Sequence, residues 1–211
     1  MTDLTKERIL DAAEHLFAEQ GVAATSLRAI MKEAGANMAA IHYHFGSRTG
    51  LLEALLARRA EPLNRRRLEM LDEVERRYPT GPLPAEEIVR AFYAPAIDMV
   101  GTPALDHVSK LIGRVVMESS EPETLARVFG PMARRFVAAI RRAAPHLSEE
   151  EARVRLHFLV GAMVFTIAVP RAPVPEAAAA VGMHSIFEQL VEFAAAGLVA
   201  PHPRALRKEK P

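Results

Sequence analysis

The sequence predicts an all-α fold, and its composition, the spacing of its apolar residues and the placement of its prolines all support that prediction. Ala, Leu, Glu and Arg, which lose little side-chain freedom in helices, fill the stretches between prolines. Apolar residues there recur every three or four positions, and alternation typical of strands is scarce. The 15 prolines cluster around residues 79–84, 170–175 and 201–203, where they mark breaks between helices.

The composition also excludes several classes of protein. The chain has 211 residues, of which 50% are hydrophobic and 25% charged, as expected of a globular protein with at most two compact units. The sequence contains no cysteine, which excludes a disulfide framework, Cys-ligated metals and thiol catalysis. The longest apolar stretch, 158–169, is shorter than the ~20 residues of a membrane span, and residues 1–10 lack a signal-peptide core. We therefore expect a cytoplasmic protein without membrane association.

The first helix is predicted to begin after Asp3 or Thr5, either of which can cap it. It should end at Gln20, because Gly21 provides a C-terminal stop. Its apolar residues lie on one face, with Glu and Lys opposite. The residues of that face are Ile9, Ala12, Ala13, Leu16 and Phe17.

Two short helices are predicted to follow. Thr25 or Ser26 caps the second helix, which ends at Gly35. Asn37 caps the third helix, which covers residues 38–45, and the Gly-Ser pair that comes next ends it and caps a fourth. Two short helices joined by a glycine-bearing turn and braced by a longer one form a helix-turn-helix.

Charge is distributed unevenly along the chain. The 27 basic and 26 acidic residues leave a net charge of +1, which by itself argues against nucleic-acid binding. Residues 1–20 hold two basic and five acidic side chains, whereas residues 21–70 hold eight basic and four acidic ones, a local excess of +4. Residues 34–50 contain no acidic side chain, so nothing on the third helix repels phosphate.

The segment 6–55 contains three spaced motifs: TSLRAI at 25–30, AGANMAAIHYHF at 34–45 and GSRTGLL at 46–52. With these motifs the segment resembles the DNA-binding domain of the TetR family of bacterial transcriptional regulators. The resemblance implies an all-helical homodimer with a variable C-terminal effector domain, which usually acts as a repressor released by a small ligand. It implies three parts here: a helix-turn-helix domain at 1–50, an effector-binding and dimerisation domain at 51–200, and a tail at 201–211.

The sequence departs from the family pattern at two positions. Many members have Tyr directly after the Leu or Ile of the third helix, where this chain has His42 followed by Tyr43. The usual Lys at the start of the fourth helix is Arg48, which keeps the charge.

We expect phosphate contacts and base contacts from different side chains of this segment. Hydroxyl, imidazole and guanidinium groups are suitable donors to phosphate, whereas small residues allow close approach to the major groove. Met38, His42 and Arg28 are the best candidates for base edges. The predicted DNA-binding residues are Thr25, Ser26, Arg28, Asn37, Met38, Ala39, Ala40, His42, Tyr43, His44 and Arg48.

The alternative to DNA binding is that the three helices form a unit used only for packing. Farther along, the arginines at 58–59 and 65–67 are predicted to form a solvated or interdomain face.

The C-terminal part is predicted to form a dimer and to sense a ligand. The helix at 149–169 is apolar nearly all round after Arg155, so it needs cover on more than one side. With the last helix, 183–194, it would build a four-helix seam between two protomers. The two-fold axis favours a pseudo-palindromic operator of double-stranded DNA.

Met and Phe residues in these helices suit an adaptable apolar pocket, although ordinary core packing explains each of them equally well. Arg114 either anchors a ligand carboxylate or phosphate, or pairs with Glu118 four residues on. The predicted ligand-binding residues are Met99, Leu111, Arg114, Met117, Phe136, Phe158 and Phe165.

A second, weaker resemblance concerns the effector. Segments 58–70 and 111–119 are similar to a TetR subgroup that includes fatty-acid-responsive regulators, which implies a fatty acid or acyl-CoA as the effector.

Pro62 interrupts the fourth helix, so this helix should kink or restart there.

No pattern supports catalysis or a metal site. His42 and His44 point about 200° apart on a helix, so they cannot share an ion. Phosphate-binding loops, nucleophile elbows and metal-ligand motifs are absent from the sequence, so we expect no enzyme activity, no cofactor and no metal. The best interpretation is a dimeric, ligand-controlled transcriptional repressor. The alternatives are a ligand-independent DNA-binding dimer and a ligand-binding protein without DNA binding.

Overall fold

The computed structural model of the chain describes residues 2–99, 115, 122–168 and 182–201. These residues form eight α-helices and no β-strand, which confirms the all-α prediction. The helices are α1 Thr2–Gln20, α2 Leu27–Ala34, α3 Met38–Phe45, α4 Arg48–Arg77, α5 Ala85–Ile97, α6 Pro122–Ala143, α7 Glu149–Ala168 and α8 Met183–Val199.

Local capping sets the ends of the first two helices. Gly21 ends α1 with a φ of 86°, and its backbone N–H donates to the carbonyl of Phe17 at 3.1 Å. Of the two candidate caps for α2, Ser26 is the one used, since its Oγ accepts from the backbone N–H of Ala29 at 3.2 Å. Gly35 then ends α2 in the left-handed region, at φ 57°.

The bounds of α3 match the prediction residue for residue. The Oδ1 of Asn37 accepts from the backbone N–H of Ala40 at 3.0 Å, and Gly46 ends the helix at φ 73°. The hydroxyl of Ser47 accepts from the backbone N–H of Gly50 at 3.0 Å and so begins α4. Short-range side-chain chemistry is therefore sufficient to define this helix.

Helix α4 continues through Pro62 as one helix, so the expected restart does not occur, whereas the alternative, a kink at the proline, stays a prediction. Leu55, Leu56, Ala60 and Leu63 are buried on either side of the proline. Burial of this apolar face outweighs the hydrogen bond that the proline cannot donate.

The chain divides into two compact units, Met1–Asn64 with Met99–Gly130 and Arg65–Asp98 with Pro131–Pro211. Helices α4 and α6 each contribute to both units. The core of the first unit comprises Ile9, Leu10, Ala12, Ala13, Leu16, Phe17, Val22, Ile30, Met31, Ala34, Ile41, Leu51, Leu52, Leu55, Leu56 and Val115. The buried residues of the second unit include Leu71, Ile88, Phe92, Tyr93, Phe136, Ile140, Leu159, Met163 and Val191.

Polar contacts reinforce the helix packing of the second unit. The Tyr93 hydroxyl donates to the carbonyl of Leu159 at 3.0 Å, and burial raises the pKa of Tyr93. Arg90 of α5 donates to both carboxylate oxygens of Glu188 in α8, at 2.9 and 2.5 Å. These hydrogen bonds hold the pKa of Glu188 below its ordinary value, so the ion pair persists at neutral pH.

Arg67 is buried in this unit, so the prediction that it belongs to a solvated or interdomain face is wrong. Its Nε donates to the carbonyl of Phe92 at 2.8 Å, and its Cζ lies 4.3 Å from the centroid of the Phe92 ring. Burial lowers the pKa of Arg67 to about 10, so the side chain still carries its charge at neutral pH.

None of the described helices is both long and apolar enough to cross a membrane.

Candidate nucleic-acid interface

Helix α3 presents a continuous exposed surface. Met38 is 40% and Tyr43 is 76% exposed, and Ala39 and His42 lie on the same open side of the molecule. Ile41 is fully buried and anchors the helix, with Phe45 partly buried against the same core. One side of this short helix is therefore exposed, and the opposite side is anchored in the core.

The aromatic and imidazole side chains of α3 are ordered by short contacts. The Tyr43 and His44 rings pack edge to face with centroids 4.9 Å apart. Nδ1 of His42 lies 3.2 Å from the carbonyl oxygen of Gly46, which restrains the exposed imidazole. Among the described residues, no group of three or more His, Asp or Glu side chains can hold a metal ion.

The predicted donors at the start of α2 differ in their exposure. Ser26 and Arg28 are exposed, as a phosphate or base contact requires. Thr25 is only 1% exposed, and its hydroxyl donates to the carbonyls of Gly21 and Leu16, at 2.8 and 3.2 Å. The expectation that Thr25 donates to phosphate is therefore corrected: this side chain satisfies the buried backbone after α1.

Arg48 also turns inward, against the expectation that it contacts phosphate. Its guanidinium donates to the carbonyl of Thr25 at 2.5 Å and to the carbonyl of Val22. The Cζ atom lies 5.7 Å from the centroid of the Phe17 ring. The first residue of α4 is thus attached to the loop between α1 and α2.

Arg8, for which the sequence predicts no particular role, holds the other end of α2. Its guanidinium donates to the carbonyl of Gly35 at 2.9 Å and to that of Ala34. A guanidinium at the C-terminal end of a helix satisfies carbonyls that lack a helical partner and complements the helix dipole. No local sequence motif indicates this role of Arg8, because the contact joins residues that are distant in the sequence.

Three acidic residues of α1 are paired with arginines of α4. Glu14 is buried, and its carboxylate accepts from Arg58 at 2.8 Å and from Arg59 at 2.6 Å. Arg58 also pairs with the exposed Glu7 and Asp11, both at 2.9 Å. Arg58 and Arg59 are therefore not simply solvated. They join α4 to α1 across the domain boundary predicted at residue 50, which agrees with the interdomain alternative.

The junction between α3 and α4 depends on Gly50. A Cβ atom at this position would lie 2.0 Å from the carbonyl oxygen of Phe45. We expect Gly50→Ala to destabilise the protein by about 1–3 kcal/mol, although alanine is intrinsically better than glycine in helices. Thermal denaturation followed by circular dichroism measures the change. Gly197 in α8 is the matched control, since a Cβ there meets nothing within 4 Å and Gly197→Ala should not lower Tm. Equal stability of the two variants would contradict the steric argument.

The predicted ligand-binding residues do not all lie together. Leu111, Arg114 and Met117 lie outside the described residues. Phe136 is fully buried and packs edge to face on Phe92, with centroids 5.1 Å apart, as part of the core of the second unit. Met99 is half-buried at the end of the α5 segment.

Phe158 and Phe165, by contrast, lie on the exposed side of α7. Their side chains are 62% and 53% exposed, and Val154 on α7 and Phe193 on α8 are exposed as well. A groove of about 660 Å³ follows these two helices. Its lining includes Val154, Phe158, Leu159, Ala162, Phe193 and Leu198. An exposed apolar surface of this kind is typical of a protein interface.

Curated proteins resemble the chain over the helix-turn-helix segment. The HTH-type transcriptional regulator SrpR of Pseudomonas putida is 41% identical over 59 residues, which cover 28% of this chain and 28% of that protein. AcrR of Shigella flexneri, another HTH-type transcriptional regulator, is 43% identical over 51 residues, or 24% of each chain. The matched segment thus spans about a quarter of the length of these relatives.

Solved structures resemble nearly the whole chain. A TetR-like transcriptional regulator from Rhodococcus sp. RHA1 superposes with a TM-score of 0.58 at 17% identity and covers 93% of this chain and 97% of that chain. The ketosteroid transcriptional regulator KstR2 of Mycobacterium tuberculosis superposes with a TM-score of 0.57 at 15% identity, covering 93% and 95%. At these identities the likeness establishes a shared fold.

Two family models match the chain in succession. Residues 9–55 match the model described as bacterial regulatory proteins, tetR family. Residues 90–197 match the model described as tetracyclin repressor-like, C-terminal domain, which alone spans more than half of the 211 residues. Together with the helix-turn-helix and the all-helical fold, these matches establish that the chain belongs to the TetR family of bacterial transcriptional regulators.

Proposed function

We propose that the protein is a DNA-binding transcriptional repressor, active as a homodimer and released from its operator by a small apolar or acyl ligand. The observation that carries the proposal is the exposed surface of α3, which is anchored by Ile41 and bears no acidic side chain. A short helix held firmly on one side and open on the other can enter the major groove of DNA.

Contacts to bases would come from the exposed residues at the start and middle of α3. Met38 and Ala39 offer apolar groups that suit a thymine methyl, and Ala40 allows close approach. His42 and the exposed Arg28 of α2 offer polar groups that can hydrogen-bond to base edges.

Contacts to phosphate would come from groups around the same surface. Tyr43 is exposed and His44 half-exposed, and the capped ends at Ser26 and Asn37 present backbone N–H groups at the starts of α2 and α3. Helix N-termini favour anions because these N–H groups lack helical partners. Since Arg48 is bound to backbone carbonyls, the phosphate contacts would rely on neutral donors more than the sequence suggests.

The homodimer would form through α7 and α8. Phe158, Phe165 and Phe193 are exposed on these helices, and burial against a second copy would remove their apolar surface from water. A Cβ atom added to Gly161 of α7 would meet no heavy atom within 4 Å, which leaves room for close approach of a partner helix. A two-fold axis through this seam would give the dimer two copies of α3 and a preference for an inverted repeat.

The effector would bind within the second unit. Methionine and phenylalanine side chains, including Met132, Phe136 and Met163, are buried there, and such side chains adapt readily to apolar ligands. The match of residues 90–197 to a tetracyclin repressor-like C-terminal domain supports the same role. Helix α4 belongs to both units, so it offers a covalent route from the effector to α3.

Selection of binding sites from a random-sequence duplex library tests the DNA-binding part of the proposal. We expect enrichment of an inverted repeat, and weaker binding of the enriched duplex by Tyr43→Ala, measured by fluorescence anisotropy. The matched control is Tyr78→Phe, which retains the ring and lies in the second unit, where DNA contact is not proposed. Failure to enrich any sequence would favour a ligand-binding protein that does not bind DNA.

A ligand panel tests the regulatory part. Fatty acids, acyl-CoA thioesters and unrelated apolar compounds are compared by thermal shift, and compounds that raise Tm are then added to the protein–duplex complex. A true effector should weaken binding of the duplex about 5- to 150-fold, as a coupling free energy of 1–3 kcal/mol implies. If no compound weakens the complex, the protein is a ligand-independent DNA-binding dimer.

A further inference from the structure

We propose that Arg48 is a positioning residue, which holds the start of α2 in place for DNA recognition, and that it is not a phosphate ligand. The proposal rests on the proposed DNA-binding function, and it assigns to Arg48 a role within the protein. Three contacts carry it: the hydrogen bonds to the carbonyls of Val22 and Thr25, and the packing of the guanidinium near Phe17.

The geometry of these contacts requires an arginine. Two nitrogens of one planar guanidinium reach two carbonyls that lie three residues apart in the α1–α2 loop. A lysine ammonium is a point charge and cannot span both carbonyls in this way. The half-buried aliphatic stem and the Phe17 ring, 5.7 Å from Cζ, further restrict the side chain to one orientation.

The loop that Arg48 holds leads directly into α2. Val22 is 3% and Thr25 is 1% exposed, so these loop residues belong to the core of the first unit. The carbonyl of Thr25 immediately precedes Ser26, the N-cap of α2. Holding this carbonyl therefore fixes where the N-terminal N–H groups of α2 and the exposed Arg28 lie.

The opposite end of α2 is held by the same chemistry. Arg8 of α1 donates to the carbonyls of Ala34 and Gly35, where α2 turns toward α3. The two arginines come from different helices, one from α1 and one from α4, and both bind backbone carbonyls. The first turn of α4 is in this way connected to the end of α2 that would face DNA.

Salt dependence separates a positioning role from a phosphate contact. Binding weakens as salt rises, so the slope of log K against log salt is negative. Loss of one phosphate contact makes this slope less steep by about 0.9, because one counterion fewer is released. Loss of a positioning contact lowers affinity and leaves the number of released counterions unchanged. A residue that only stabilises the fold would change Tm without changing the affinity of the folded protein.

The experiment uses the full-length protein and a fluorescein-labelled duplex with the sequence that the wild-type protein enriches from a random library. Anisotropy titrations at several KCl concentrations compare wild type, Arg48→Ala, Arg48→Lys and the control Arg28→Ala, all well below their Tm. Hydrogen exchange of the DNA-free protein, followed by mass spectrometry, reports on the backbone of residues 21–26. Arg48→Lys keeps the charge, so it remains informative if Arg48→Ala does not fold.

The expected result is that both Arg48 variants bind the duplex at least about tenfold more weakly, as the loss of hydrogen bonds from a charged donor implies. Their salt slope should equal that of wild type, and residues 21–26 should exchange faster. Arg28→Ala should leave that exchange unchanged, because this side chain is exposed.

Three results would each overturn the proposal. The first is a salt slope that is less steep by about one unit in Arg48→Ala. The others are wild-type affinity in Arg48→Lys and unchanged hydrogen exchange of residues 21–26 in both variants. Absence of any enriched duplex would instead refute the proposed DNA-binding function. The exchange measurement needs no DNA, so the two failures are distinguishable.

Discussion

Phe158→Asp is expected to convert the protein from a dimer to a monomer and to weaken its binding to an inverted-repeat duplex by about 100-fold or more. Phe158 is 62% exposed in a single copy and lies on the apolar face of α7, beside Val154 and across the groove from Phe193. An aspartate there would have to lose its hydration in an apolar seam, which is costly for a charged group. The loss of DNA affinity follows because linked half-site binding can exceed single-site affinity by about 10² to 10⁴.

Light scattering coupled to size-exclusion chromatography measures the mass, and anisotropy measures the affinity. Leu4→Asp is the matched control, since Leu4 is a large apolar residue, 72% exposed, on α1 and outside the proposed seam. This control should remain dimeric. Because Phe158 is exposed in the monomer, circular dichroism should show a folded variant. A Phe158→Asp protein that stays dimeric would place the seam elsewhere.

Glu14→Ala is expected to lower the free energy of unfolding by about 3 kcal/mol. The Glu14 carboxylate is buried and receives hydrogen bonds from Arg58 and Arg59, so its removal leaves two partly buried guanidinium groups without their shared partner. A change of 1 kcal/mol shifts Tm by about 2–4 °C in a protein of this size. The expected decrease in Tm is thus about 6–12 °C, measured by thermal denaturation.

The control variant removes another carboxylate that pairs with Arg58, that of Glu7. Glu7 also pairs with Arg58, at 2.9 Å, but its side chain is 54% exposed. Exposed ion pairs contribute at most about 1 kcal/mol, so Glu7→Ala should change Tm little. Glu14→Gln, which retains an acceptor and removes the charge, should lie between the two. Equal effects of Glu7→Ala and Glu14→Ala would show that burial does not set the strength of this cluster.

Short-range chemistry made parts of the fold predictable. The bounds of α3 follow from the Asn37 side chain at one end and Gly46 at the other, and both signals lie within a few residues of the helix they define. Tyr43 of the same helix, predicted to contact DNA, is likewise exposed. Where a residue's environment is set by its neighbours in sequence, pattern and structure agree.

The roles of the arginines could not be predicted in this way. A guanidinium reaches partners far along the chain, so its sequence position says little about what it binds. Of the eight basic residues counted in segment 21–70, Arg48 binds carbonyls, Arg58 and Arg59 bind carboxylates of α1, and Arg67 is buried. The local excess of +4 therefore overstated the positive charge available to DNA. Charge counts predict an electrostatic surface only when tertiary pairing is known.

The pairing of Arg58 and Arg59 with carboxylates of α1 has a consequence for how such a protein would find its site on a chromosome. Attraction to random sequence depends on the number of cations that can replace condensed counterions. With these arginines occupied inside the protein, each encounter with random DNA should be brief, and sliding along the duplex short. The search would then proceed mainly by repeated three-dimensional excursions, and the fit of α3 to the operator would govern the time spent bound.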